Sequence, residues 1–258
     1  MSTKSLKEIR KKIIIASSTA KEGHIPSALS ILDILYVLYN NFIDVNMIKN
    51  KALDRERFVL SKGHASLGLY AILMENNIIS ENLFDDFASY NSILGGHPDT
   101  NKVLGVEAST GSLGHGFPIA VGMSLGYKIK NITSRVFVLI GDGECNEGTI
   151  WESALLASHH KLNNLTCVID YNHSTDRAMQ MGNISDKFKS FGWESINIDG
   201  HNHEEILKAL NNVDKVKPLA IIANTIKGFG CKPMENDPSW HHKSPSSDEL
   251  ETLLDQTY

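Results

Sequence analysis

Asp142 and Asn172 stand thirty residues apart, each just past an apolar run, "RVFVLI" before the first and "LTCVI" before the second. Gly141 and Gly143 flank Asp142, and a Gly-Asp-Gly turn lets backbone N–H groups approach an anion while the carboxylate points to the same place. An acid aimed at a bound anion makes sense only with a cation between them. Magnesium suits, since it is held by one or two protein oxygens together with ligand phosphates. The spacing is the length of one helix and one strand, so Asn172 is placed to supply a second oxygen and Ser174 a backbone carbonyl. A plain β–α turn with an acid at the helix N-terminus would account for Gly-Asp-Gly alone, but not for Asn172 at that distance.

Imidazoles come next. The chain has 11 histidines, and His24, His64, His97 and His241 fall in breaks between helical stretches, beside Gly, Pro or Ser. An imidazole can both donate to a phosphate and move protons near neutral pH. His159 and His160 lie late in a helix and His201 and His203 flank the start of another, so these four read as structural. His173 sits between the proposed metal ligands without an assigned role. "STGSLGHG", residues 109–116, places glycines where the backbone must pass close to something flat or bulky, yet lacks the Gly-Lys-Ser/Thr ending of a phosphate loop. Glu147 and Glu152, spaced i, i+5, are by composition ordinary acids at a helix start.

The elements that must position these groups are legible in the apolar pattern. "LKEIRKKIIIASSTA", "ALSILDILYVLYNNF", "ASLGLYAILMENN" and "SENLFDDFASY" carry helical spacing, so residues 1–113 read as a helical part. From residue 114 the pattern predicts alternation: helix 114–130, strand 135–140, helix 147–160, strand 165–170, helix 183–190, strand 195–199, helix 203–213 and strand 219–225. Continuous apolar strands separated by helices indicate an α/β fold, a doubly wound and mostly parallel sheet with helices on both faces. The whole of 1–258 reads as one domain, with ligands expected at the carboxyl ends of the strands.

Bulk properties narrow the partners. A formal charge of -5 without a basic run argues against nucleic acid and anionic membrane. Apolar stretches are too short to span a bilayer and the polar start "MSTKSLKEIRKK" lacks a signal-peptide core, so a cytoplasmic protein is expected. Cys145, Cys167 and Cys231 are odd in number with no Cys-x-x-Cys spacing, indicating neither disulfides nor a zinc knuckle.

"GDG" followed about thirty residues later by Asn resembles the thiamine diphosphate signature, and the words around it narrow the resemblance to the transketolase family. "EGHIPSALS", "LSKGHASLGLY", "GGHPD", "GVEASTGSLGHG", "GDGECNEGTIWES", "GWESINIDGHN" and "SWHHKSP" run in order from residue 23 to 245. The resemblance implies the diphosphate-binding domain of the thiamine diphosphate fold. Asp142, Asn172 and Ser174 would hold Mg2+, with Ca2+ or Mn2+ as substitutes. His64 and His241 would contact the diphosphate, and His24, His97 and His241 would bind sugar hydroxyls and shuttle protons. Gly111 and Leu113 would support the cofactor ring, and Gly141, Gly143 and Glu147 complete the implied cofactor set. Glu147 and Glu152 match an acid chain at the family's dimer interface. His115 stands where glutamine is usual, and the family pattern puts the role on His241, directly after Trp240, rather than on His242.

Transketolases have three domains, and this chain resembles the first, as the N-terminal subunit of a split enzyme would. The implied partner is a C-terminal subunit carrying the pyrimidine-binding domain and the catalytic glutamate, in a homodimer or an α2β2 assembly, acting on sugars or sugar phosphates. Two other readings stay open. A deoxyxylulose phosphate synthase or the first subunit of a keto-acid dehydrogenase would share "GDG" and Asn172 but not the "SWHH" and "GGHPD" contexts together. A cofactor-binding regulatory subunit without activity would not need the histidines intact.

Overall fold

The computed structural model describes residues 5–177 and 179–258 and begins with four helices, α1 (Leu6–Ala20), α2 (Ile25–Leu29), α3 (Leu32–Asn41) and α4 (Val45–Lys49). A first strand, β1 (Arg57–Leu60), leads into α5 (Ser66–Glu75) and α6 (Glu81–Asp85). Turns and bends fill 86–115, and α7 (Gly116–Ile129) follows. Strands and helices then alternate as β2 (Val136–Gly141), α8 (Gly148–His159), β3 (Leu165–Tyr171), α9 (Ile184–Ser190), β4 (Glu194–Asp199), α10 (His203–Leu210) and β5 (Leu219–Asn224), with α11 (Ser247–Asp255) last.

The five strands form one sheet in the order β1-β2-β3-β5-β4, and every neighbouring pair is parallel. Alternation within β2 explains why both faces need cover. Phe137 and Leu139 enter one apolar core with α1, α2, α3, α5 and α10, while Val136, Val138 and Ile140 enter a second core with α7, α8 and α9. Burying such side chains contributes about 1.5–3 kcal/mol each. The doubly wound α/β fold expected from the apolar pattern is therefore present, and its sheet is wholly parallel. Among the described residues no helix is long and apolar enough to cross a membrane. The three cysteines are free and buried.

Three local expectations are corrected. The helical part contains a strand, β1, whose four residues are too few to carry a period and which pairs on one side only, with β2. "ALSILDILYVLYNNF" is two helices, not one, because the chain turns at Ser30, whose hydroxyl donates to Ser27 O at 3.2 Å and to Asp170 Oδ2 at 2.9 Å. "SENLFDDFASY" yields only the five residues of α6: Ser80 caps its start, and Ala88 has a left-handed φ of 53° just beyond its end. Elsewhere the boundaries shift slightly, as where α10 stops at Leu210.

Asp33 ties the helical layer together. Its buried carboxylate accepts from Arg10 Nη2 at 2.9 Å, His201 Nδ1 at 3.1 Å and His203 Nε2 at 2.9 Å. Burial alone would raise its pKa, but the hydrogen bonds from His201 and His203 and the Arg10 charge outweigh that and hold it well below the usual carboxylate range. His201 and His203 thus have the structural role read from the sequence. We expect Asp33→Ala to lower unfolding stability by about 3–5 kcal/mol, because it strands a buried guanidinium. Urea denaturation measures this, and a loss below about 1 kcal/mol would mean that Arg10 is held by other contacts.

Candidate active site

The carboxyl ends of four adjacent strands meet at one place. β1 runs into Ser61, Lys62 and a short 3-10 turn over Gly63–Ala65 that carries His64. β2 runs into a second turn, Asp142–Asn146, and β3 delivers Asp170 and then Asn172. Parallel register sets Gly141 opposite Asp170. Thr225 follows β5 directly.

Lys62 and Asp170 form the innermost contact, an ion pair with both side chains almost wholly buried. Asp170 also accepts from Thr225 Oγ1, from Ser30 Oγ at 2.9 Å and from Asn172 Nδ2 at 2.9 Å. Burial would raise its pKa, yet the Lys62 charge and these hydrogen bonds leave it lowered. Asn172 is thereby oriented: its amide nitrogen is spent on Asp170, and its Oδ1 turns to accept from the Ser174 backbone N–H at 3.1 Å. Asp142 accepts from Gly143 N at 2.8 Å, Ser174 Oγ at 3.2 Å and Thr175 N at 3.4 Å. The structure thus joins Asp142 and Asn172 through Ser174, by its hydroxyl and its N–H.

Glu144 stitches the floor. It accepts from Ser61 Oγ at 2.6 Å, Gly114 N at 2.9 Å and Gly141 N at 3.0 Å, tying the glycine loop to the ends of β1 and β2. Gly114 has φ 78°, and a Cβ there would sit 2.7 Å from the Glu147 Cβ. Burial raises the pKa of Glu144, and burial followed by the charge of Asp170 raises that of Asp142. Among the described residues, Asp142, Glu144 and Asp170 are the buried acids here and Lys62 the buried cation. That surplus of negative charge, with Asp142 and Asn172 both offering oxygen, fits a divalent oxygen-loving cation.

Lys62, Asp142, Glu144, Asn172 and Ser174 line a cleft of about 290 Å3 together with His24, His64, Gly111, Leu113, Lys227, His241 and His242, while Asp170 lies beneath it. The rings of His24 and His64 lie 5.1 Å apart and those of His24 and His241 5.6 Å apart. Lys227 Nζ donates to His241 Nδ1 at 3.2 Å. Burial, then the charges of His242 and His241, lower the His24 pKa to about 4, and burial with the Lys62 charge lowers that of His64. Both rings are neutral near pH 7, and His24 Nδ1 is buried without a hydrogen-bond partner among the described residues, as a ligand-binding group would be.

Other expected residues lie elsewhere. His97 is exposed on the rim, its ring packed where a Cβ on Gly111 would approach to 3.1 Å. Glu147 and Glu152 are exposed, outside the cleft, because the chain turns outward to begin α8. His115 is exposed and donates from Nδ1 to Leu113 O at 3.0 Å; His173 is exposed and pairs with Asp176 at 2.9 Å. Lys62, Glu144, Asp170 and Lys227 were not singled out from the sequence. Lys62 stands within the quoted "SKGH", Glu144 directly follows "GDG", and Asp170 precedes Asn172 by two residues. Beside the cleft, a cavity of about 1160 Å3 opens over the ends of β4 and β5 and shares Asn172, Ser174, Lys227 and His241 with it.

Comparisons with known proteins agree with this picture. The family described as "Transketolase, thiamine diphosphate binding domain" matches residues 1–256. The chain is 37% identical over 252 residues to one of the subunits of an apulose-4-phosphate transketolase from Phocaeicola vulgatus, covering 95% of this chain and 89% of that one. It is 35% identical over 227 residues to the 6-deoxy-6-sulfo-D-fructose transketolase subunit SqwG of a Clostridium species, covering 85% and 82%. The crystal structure of transketolase from Campylobacter jejuni superposes with a TM-score of 0.84 at 30% identity, covering 96% of this chain and 42% of that one. The chain spans about two-fifths of the length of such solved transketolases.

His24 gives this site a pH signature. Between about pH 4 and its ordinary value of 6.5 the unfolded imidazole is protonated while the folded one is not, so stability rises with pH through that window. Asparagine tolerates the left-handed φ of 66° that His24 adopts. We expect His24→Asn to reduce the slope of urea midpoint against pH in the window, and an unchanged slope would place the proton uptake elsewhere.

Proposed function

The chain belongs to the transketolase family, and we propose that it is the cofactor-holding subunit of a split enzyme that transfers a two-carbon ketol unit from a ketose, or ketose phosphate, to an aldose or aldose phosphate. The observation that carries this reading is the convergence of Asp142, Asn172 and Ser174 with His24, His64 and His241 on one cleft.

Mg2+ would be held by the oxygens of Asp142 and Asn172 and a backbone oxygen of Ser174, with Ca2+ or Mn2+ able to replace it. Bound thiamine diphosphate would supply an electron sink for breaking a carbon–carbon bond beside a carbonyl. The protein's own groups do the rest. His64 would donate an N–H to the diphosphate, and His241, with Lys227 at its Nδ1, would contact the same anion. Gly141, Gly143 and Gly111 bring backbone close without side chains in the way, and Leu113 offers an apolar edge. His24 and His241, and His97 from the rim, orient sugar hydroxyls and carry protons. Neutral imidazoles are suited to this because each can accept as well as donate.

A cleft of about 290 Å3 suits a diphosphate but is at the low end for a whole cofactor with two rings. The remainder would rest on a second chain that supplies the pyrimidine-binding domain and the catalytic glutamate. Two relatives are themselves named as subunits of transketolases, each for a different sugar, which supports a partner for this chain too. A two-fold assembly, homodimer or α2β2, follows the usual symmetry of oligomers, with Glu147 and Glu152 exposed and available at its interface. We read the chain as one cofactor domain working in the cytoplasm, where its buried cysteines stay thiols.

Titrating thiamine diphosphate with and without Mg2+, then assaying ketol transfer with the chain alone and mixed with its partner, tests this. The chain alone should bind the cofactor weakly, only with the metal, and turn over nothing; the mixture should transfer. Asp142→Ala or Asn172→Ala should weaken metal-dependent cofactor binding by roughly tenfold to a hundredfold. Full transfer by the chain alone would refute the split arrangement, and cofactor binding indifferent to Mg2+ and to both substitutions would refute the site.

A further inference from the structure

A second cluster of ligand-bearing side chains stands at the mouth of the cleft and contains no oxygen donor. His24, His241 and His242 each present a ring nitrogen within 4.8 Å of the other two. Ring centroids lie 4.0 Å apart for His24 and His242 and 5.3 Å for His241 and His242. The backbone fixes this grouping from both sides. His24 is held in the left-handed region directly before α2, and a Cβ on the preceding Gly23 would lie 2.3 Å from the His242 carbonyl oxygen, so the segment bearing His241 and His242 rests on Gly23 itself. Trp240 anchors one end of that segment in the core. Beyond its other end, Ser244 Oγ donates to Ser17 O and Ser18 Oγ donates to Pro245 O, both at 3.1 Å. Two stretches far apart in sequence are therefore pinned with their imidazoles facing one another, and the buried Nδ1 of His24 has no hydrogen-bond partner among the described residues.

Three imidazoles with one open side match the nitrogen set of a zinc ion that keeps a water as its fourth ligand. Such a set suits Zn2+, Cu2+ or Ni2+ and not Mg2+, which takes oxygen. We propose that His24, His241 and His242 form a transition-metal site, with Zn2+ as its natural probe, separate from the oxygen pair of Asp142 and Asn172. Zinc–nitrogen bonds of about 2.0–2.1 Å set tetrahedral ligand atoms about 3.4 Å apart, so the rings must close by about 1.4 Å at most. His241 and His242 are exposed and have room to turn. Lys227 is the competitor: it donates to His241 Nδ1 and brings a positive charge, so metal entry displaces it from that ring. Lys62, the other nearby ammonium, is already neutralised by Asp170. A bound zinc would hold two of the rings assigned above to sugar hydroxyls and would block them; this consequence rests on the function proposed above, while the metal site itself does not.

The test needs no activity measurement. Zn2+ and Co2+ are titrated into the full chain near neutral pH against a chromophoric chelator, with excess Mg2+ present. We expect one Zn2+ per chain, Co2+ with the intense visible absorption of a four-coordinate site, binding weakened roughly tenfold or more in His242→Ala, and binding strengthened in Lys227→Gln. His242 is exposed, so its removal leaves folding intact. Displacement of zinc by Mg2+, unchanged affinity in His242→Ala, or loss of binding in His159→Ala/His160→Ala instead would each overturn the assignment.

Discussion

A buried ammonium and a buried carboxylate, Lys62 and Asp170, set the geometry on which the site depends. Taking either ion out of water alone costs several kcal/mol, so each requires the other and neither can move without stranding its partner. Asp170 further requires donors for its remaining lone pairs, and it takes them from three separate elements: Ser30 after α2, Asn172 after β3 and Thr225 after β5. One carboxylate therefore locks the helical layer to the ends of three strands. Most of its hydrogen bonds join residues more than fifty positions apart in sequence. Asn172 faces the cleft with its oxygen because its nitrogen is committed on the other side.

That arrangement leaves an electrostatic imbalance one layer outward. Lys62 balances one acid, while Asp142 and Glu144 lie buried beside it and both have raised pKa values. The two are not equivalent. Glu144 is satisfied by a hydroxyl and two backbone N–H groups, which makes it a strut between loops. Asp142 has weaker contacts at 3.2 Å and 3.4 Å beyond the one from Gly143, and it opens on the cleft. A cation placed between Asp142 and Asn172 would lower the cost of holding Asp142 charged.

The sequence carried the outer, cleft-facing groups better than the inner ones. Asp142 and Asn172 were legible because glycines and a strand–helix–strand spacing mark them, and the parallel sheet was legible because its strands are continuous apolar runs. Lys62 left no such mark: a lysine in a loop is ordinarily solvated, and only the fold reveals that its partner arrives from a strand 108 residues later. β1 was missed for a related reason, since four residues at a sheet edge show too little alternation to be told from the helices around them. The order of strands, and with it the neighbours of Asp170, depends on crossovers that no local pattern encodes.

His201 shows how the helical layer reaches the cleft. Its Nε2 accepts from the Ile226 backbone N–H at 2.9 Å, which requires the proton to sit on Nδ1, where it is donated to Asp33. Its ring lies on Phe229 with centroids 3.6 Å apart. The neutral tautomer is thus selected from both sides, by a carboxylate that must receive and an amide that must give. Ile226 is followed by Lys227, the ammonium that reaches His241, so the chain Arg10, Asp33, His201, Ile226 runs from α1 to the cleft wall through three directed contacts. Protonating His201 on both nitrogens would set two N–H groups against each other at Ile226. The residue read from sequence as merely structural therefore holds in place the loop that carries a charge of the site.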